Sequence, residues 1–89
     1  MWTQWYETSA YGWLQKGNDA VENEEYDKAI SFYLRSIELN PDYASAYYNL
    51  GNAYDDNGDF ATALIYYKTA AKLGYQPAQD WLKKNGHEW

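Results

Sequence analysis

The side chains that do chemistry most often are scarce in this chain. His87 is its single histidine and cysteine is absent, so one chain cannot assemble a histidine pair, a nucleophile–histidine triad or a thiolate metal site. His87 falls beyond the last helical pattern and is expected to be a tail residue. Asp55-Asp56-Asn57-Gly58-Asp59 has the oxygen-rich start of a calcium loop. Such a loop needs glycine at its sixth position and glutamate at its twelfth, where this chain has Phe60 and Tyr66. The six glycines form no phosphate-cradling run, and Gly17 and Gly51 are better explained by close helix packing. Glu22, Glu24, Glu25 and Asp27 crowd a turn and read as solvated charge rather than as an acid–base pair. These observations give a non-catalytic chain with no metal and no cofactor.

What the chain has in quantity is aromatic surface and negative charge. Of 89 residues 46% are apolar and 20% aromatic, with eleven Tyr, five Trp and two Phe, a composition that folds rather than stays disordered. The formal net charge is −6, which opposes contact with a phosphate backbone and argues against a nucleic-acid partner. The charge is also uneven. Residues 1–59 hold eleven acids and three bases, residues 60–89 two acids and four bases. No apolar run approaches the roughly 20 residues of a membrane span, and Met1-Trp2-Thr3-Gln4-Trp5 has no signal-peptide pattern. The expectation is a soluble, cytoplasmic protein without a membrane partner.

Something must position these side chains, and a 34-residue period shows what. It relates Trp13 to Tyr47 and Trp81, Gly17 to Gly51, Asn18 to Asn52, Tyr26 to Phe60, Ala29 to Ala63, and Tyr33 to Tyr67. Apolar residues recur at helical spacing between these landmarks, as in Ala29, Ile30, Tyr33, Ile37 and in Ala63, Leu64, Tyr67, Ala71. Asn57-Gly58-Asp59 fits a helix end followed by the next helix's cap, and Asn40-Pro41-Asp42 separates the two units. The fold class is therefore all-α, a helical-hairpin solenoid of about five antiparallel helices near residues 10–23, 26–39, 44–57, 60–73 and 77–85. Ala29 and Ala63 are expected at close helix crossings. Trp2, Trp5, Tyr6, Ser9 and Trp13 lie on one helical stripe, which would start the first helix as early as Thr3.

The second unit, Tyr47-x-x-Leu50-Gly51-x-x-Tyr54 followed by Ala63-x-x-x-Tyr67 and Ala70, resembles the tetratricopeptide repeat family, with Tyr75 standing where proline is usual and Pro77 two residues late. The first unit matches at Trp13, Gly17, Ala29, Tyr33 and Pro41. It departs at Lys16, Ala20 and Ser36, and Glu24 takes the place of the turn glycine. The resemblance implies an aromatic segment 1–9, repeats at 10–43 and 44–77, and a capping helix with tail at 78–89. The stretch from Ala70 to Leu82 is also similar to Sel1-like repeats.

The resemblance further implies a function: the first helix of each pair lines a concave groove that grips a peptide or partner segment. Carried over by position, the groove residues are Tyr11, Leu14, Asn18, Val21 and Glu22, with Ser45, Tyr48, Asn52, Asp55 and Asp56. Helical spacing independently puts Tyr48, Asn52, Asp55 and Asp56 on one face, away from Tyr47, Leu50, Gly51 and Tyr54. Asn18 and Asn52 have a second reading as groups that satisfy their neighbours between helices. Asn18 and Asn49 match asparagines with which some family members clamp a C-terminal carboxylate, but Leu14 replaces the first lysine of that clamp. Glu22, Asp55 and Asp56 instead favour a basic or aromatic protein or peptide, with Tyr11 and Tyr48 available for stacking. Trp2, Trp5 and Tyr6 are expected to pack on their own first repeat, and failing that are candidates for self-association as a homodimer. The alternative is a structural or engineered repeat scaffold that associates with its own copies and has no natural ligand.

Overall fold

The computed structural model describes residues 9–89, which contain five helices and, among the described residues, no strand. They are α1 (Ala10–Glu22), α2 (Tyr26–Leu39), α3 (Ala44–Asp56), α4 (Phe60–Lys72) and α5 (Gln76–Lys84), each within about one residue of its expected bounds. Trp2, Trp5 and Tyr6 lie outside the described residues. The continuous stripe expected through Ser9 is not supported. Ser9 is extended (φ −79°, ψ 164°) and caps α1, its hydroxyl accepting from the Gly12 N–H at 3.0 Å, so α1 starts at Ala10.

Four of the five helices end in one motif, a left-handed residue after the C-cap that, with the residue following it, closes two backbone bonds onto the last turn. At the end of α3 the Gly58 N–H donates to the Asp55 carbonyl (3.0 Å) and the Asp59 N–H to that of Tyr54 (2.8 Å). Gly74 and Gly86 do the same for α4 and α5. At the end of α1 the residue is Glu24, at φ 59°, bonded to the Val21 carbonyl while Glu25 reaches Ala20. Asp59 then caps α4 by accepting from the Thr62 N–H at 3.2 Å. That commits one oxygen of the carboxylate run to the backbone. Among the described residues no group of three or more His, Asp or Glu is arranged to hold a metal ion.

The helices pair as α1–α2 and α3–α4 hairpins, and α5 packs on α4. Ala29 and Ala63 are fully buried, as expected of close crossings. The hairpins share their internal contacts. Tyr33 lies where a Cβ on Gly17 would have to be, and Tyr67 blocks Gly51 in the same way, 2.7 Å from an ideal Cβ. Trp13 packs on Phe32 with ring centroids 5.7 Å apart, and 34 residues later Tyr47 packs on Tyr66 at 6.3 Å. Ser36, which replaces the usual alanine, is fully buried and satisfied by donating to the Ala10 carbonyl at 2.7 Å.

The period does not continue into α5. On α3 the core contacts are Ala46 and Leu50, and on α5 they are Ala78 and Leu82, an offset of 32 rather than 34. The connection from α4 is shorter, running through Gly74 and Tyr75 directly into α5, where Pro77 sits in the first turn. Trp81 is therefore not the structural counterpart of Trp13 and Tyr47. It packs back on Tyr67 (4.5 Å) and Phe60 (6.1 Å). His87 is not a loose tail residue either. Its N–H closes the α5 terminus on the Leu82 carbonyl at 2.8 Å, and its half-buried ring lies parallel to Trp81, 6.1 Å away.

Candidate functional site

Two buried tyrosines build the site from beneath. Gly17 lets Tyr33 of α2 press against α1, and its hydroxyl donates to Asn18 Oδ1 at 2.6 Å. Thirty-four residues on, Gly51 admits Tyr67, whose hydroxyl donates to Asn52 Oδ1 at 2.7 Å. Each asparagine oxygen is thus held by a rigid ring, which fixes the orientation of the amide. Asn49 Nδ2 also donates to Asn18 Oδ1, at 3.2 Å, tying α3 to α1. The satisfying role foreseen for Asn18 and Asn52 is therefore real. It leaves the groove reading possible as well, because both asparagines remain half-exposed.

A cleft of about 220 Å³ opens at this junction, lined by Asn18, Val21, Tyr33, Asn49 and Asn52. The structure thus gathers three of the residues inferred for the groove, Asn18, Val21 and Asn52, and adds Tyr33 and Asn49. Tyr11, with 47% of its surface exposed, and Glu22 lie on the same helix as Asn18 and Val21. Leu14 requires a correction: it is only 6% exposed, packed in the core with Ala46 and Leu50, and offers a ligand almost no surface. Its isolation follows from position, since an apolar side chain at the α1–α3 contact gains more from neighbouring alanines than from water.

The second half of the groove is different in charge. Tyr48 is half-buried with its ring 5.5 Å from Tyr67 and 5.4 Å from Tyr75, while Asp55 and Asp56 are exposed. Burial raises the Tyr67 phenol far above the usual tyrosine value, and the fields of Asp55, Tyr48 and Asp56 add to the rise. Tyr33 is pushed up to about 12 by burial alone. The two halves therefore share a scaffold but differ in charge: Glu22 and Asp56 are acidic in both, whereas Val21 of the first is matched by Asp55 in the second. Tyr75 was missed as a neighbour of Tyr48 because it precedes α5 as Tyr43 precedes α3, a 32-residue step that the 34-residue period does not show.

Paired antiparallel helices stacked by a repeated tight crossing, with a polar cleft on the first helices, define a helical-hairpin repeat protein. The chain belongs to the tetratricopeptide repeat family: the family model described as TPR repeat matches residues 17–58, and that described as Tetratricopeptide repeat matches residues 44–73. It is similar to Protein bimA of Emericella nidulans, 39% identical over 64 residues covering 72% of this chain and 8% of that protein. Protein O-mannosyl-transferase TMTC1 of Homo sapiens is 37% identical over 70 residues, 79% of this chain and 8% of that protein. Photosystem I assembly protein Ycf3 of Acaryochloris marina is 31% identical over 83 residues, covering 74% of this chain and 50% of that protein. The chain spans half or less of the length of these relatives. As a tetratricopeptide array it is a protein-interaction module.

Proposed function

We propose that the concave face of α1 and α3 binds a basic or aromatic segment of a partner protein, with no chemical step. The observation that carries this reading is the cleft of about 220 Å³ at the Asn18–Asn49 bond, with Asp55 and Asp56 exposed one helical turn beyond its lining residue Asn52. Rings at Tyr11 and Tyr48 supply faces on which an aromatic or guanidinium group stacks. The similar proteins carry unlike names, a mannosyl-transferase and a photosystem assembly protein among them, so the common factor is the repeat array and not a reaction. An assembly role, as named for Ycf3, is compatible with the groove. With two repeats the contact is small, and affinity is expected at about micromolar or weaker.

The test is Asp55→Lys combined with Asp56→Lys, probed with a blocked hexapeptide carrying one Trp and one Arg. Both aspartates are exposed, so helicity by circular dichroism should be retained while binding of the peptide is lost. Binding that survives the double reversal, with no dependence on salt, would place the interaction elsewhere on the molecule.

A further inference from the structure

The two halves of the groove have the same scaffold, with Glu22 and Asp56 matched as acids, and their differences can be followed position by position. Val21 in the first is replaced by Asp55 in the second, and the buried Leu14 by the half-buried ring of Tyr48. Behind the second recess stands Trp81, 4.5 Å from Tyr67, brought there by the two-residue slip of α5. Tyr67 is the common neighbour: its ring touches Tyr48 and Trp81, and its hydroxyl is bonded to Asn52. Neither Asp55 nor Asp56 has an ion-pair partner among the described residues.

Resting on the groove reading above, we infer that the recess around Tyr67, formed by Tyr48, Asn52, Asp55, Asp56 and Trp81, is a subsite for a single cationic side chain, arginine in preference to lysine, of the bound segment. A planar guanidinium stacks on one ring while its edge donates to both carboxylates, a combination that a compact ammonium meets less well. The Tyr67 hydroxyl proton is already spent on Asn52 Oδ1, so it does not compete with an incoming donor for the carboxylates. The raised Tyr67 phenol agrees with this arrangement, because a cation at the recess would offset the same carboxylate field that raises it. The first half keeps the buried Tyr33 ring and one carboxylate, Glu22, but has Val21 in place of Asp55 and the buried Leu14 in place of Tyr48, so it lacks the paired carboxylates and the ring beside them and has no such preference. The groove thereby acquires a direction: the cationic residue of a ligand is drawn to the α3–α5 half and a neutral one is left over the α1–α3 half.

The experiment uses the full chain, isotopically labelled, titrated with a blocked glycine–serine octapeptide containing one arginine and with the same peptide containing citrulline, which keeps shape and removes charge. The arginine peptide should move the amides of Tyr48, Asn52, Asp55 and Asp56 and the Trp81 indole N–H, and bind about tenfold more tightly than its citrulline twin. Asp55→Asn with Asp56→Asn, isosteric at exposed positions, should abolish the preference. A lysine version should bind more weakly than the arginine one. Equal binding of the arginine and citrulline peptides, with shifts at Asn18, Val21 and Asn49, would overturn this subsite and leave the groove reading intact. Shifts confined to the Glu22–Asp27 turn, or none in the groove with any peptide, would overturn both.

Discussion

Glu24 and Gly58 occupy the same place in the two repeats, and exchanging their residue types measures what one backbone conformation costs. Both are left-handed, at φ 59° and φ 90°, and both close the same pair of backbone bonds onto the preceding helix. A residue with a Cβ in this region costs about 1–2 kcal/mol relative to a right-handed one. Glycine avoids that cost but loses about 0.5–1 kcal/mol more chain entropy on folding. Glu24→Gly should therefore stabilise by about 0.5–1 kcal/mol, which raises Tm by roughly 2–8 °C in a domain of this size. Gly58→Glu should destabilise by a similar amount. No atom stands within 4 Å of a Cβ at Gly58, so packing does not enter. Charge does, because Glu22, Glu25 and Asp27 surround Glu24 in sequence, and Glu24→Gln separates the two effects by removing charge while keeping the backbone cost. Thermal and urea unfolding followed by circular dichroism give all three values. If Glu24→Gln stabilises as much as Glu24→Gly, the effect is electrostatic and the backbone argument is refuted.

Gly51→Ala should lose about 1–3 kcal/mol in urea unfolding despite alanine's better helix propensity, since the new Cβ meets the Tyr67 ring and lies 3.1 Å from the Ala63 carbonyl, and the fully buried ring has nowhere to move. Ala63→Leu should cost about the same by overpacking, and unchanged stability would mean that the α3–α4 crossing is looser than described. Tyr33 and Tyr67 both have phenols raised above the unfolded value of 10.0, so their contribution to stability is full below pH 10 and is lost as pH climbs through the folded values. Alkaline unfolding should steepen between about pH 10 and 12, by up to about 1.4 kcal/mol per pH unit for each tyrosine, and Tyr67→Phe should remove one share of that slope. We also propose a homodimer formed through Trp2, Trp5 and Tyr6: sedimentation of the full chain should show mass rising with concentration, and a chain lacking residues 1–8 should stay monomeric. A concentration-independent monomer in both would end that proposal.

The helices were legible in the sequence because both kinds of signal, apolar spacing and punctuation by Asn57-Gly58-Asp59, act locally. Glu24 was legible as the missing glycine for the same reason. The pairing of Asn18 with Tyr33 and of Asn52 with Tyr67 was less so. Every one of those residues was visible as a repeat landmark, but that a glycine one residue earlier lets the ring through to the asparagine emerges only when two helices are in contact. Leu14 shows the opposite failure. The family resemblance put it among the groove residues, but an apolar side chain at that place is buried in the core with Ala46 and Leu50. His87 was misplaced because it follows the last periodic residue, and a ring that packs on Trp81 after the helix has ended leaves no periodicity to read.

The slip at α5 ties these observations together. A strict 34-residue step would align Trp81 with Tyr47 and bring the second helix of another hairpin against it, as α4 stands against α3. The shortened connection through Gly74 and Tyr75 turns α5 so that Ala78 and Leu82 meet Ala63, Tyr67 and Ala70. In this register the positions that match Tyr47 and Gly51 on α3 are Gln79 and Lys83 on α5, a half-exposed amide that donates to the Ala71 carbonyl at 2.9 Å and an exposed cation. The outer face of α5 is thus polar where α3 is aromatic, as the terminal face of a solenoid requires. The same rotation carries Trp81 onto Tyr67 and Tyr75 onto Tyr48. One shortened loop therefore does two things: it gives α5 a polar outer face, and it sets Trp81 against Tyr67 at the place that Asn49 holds beside Tyr33 in the first half.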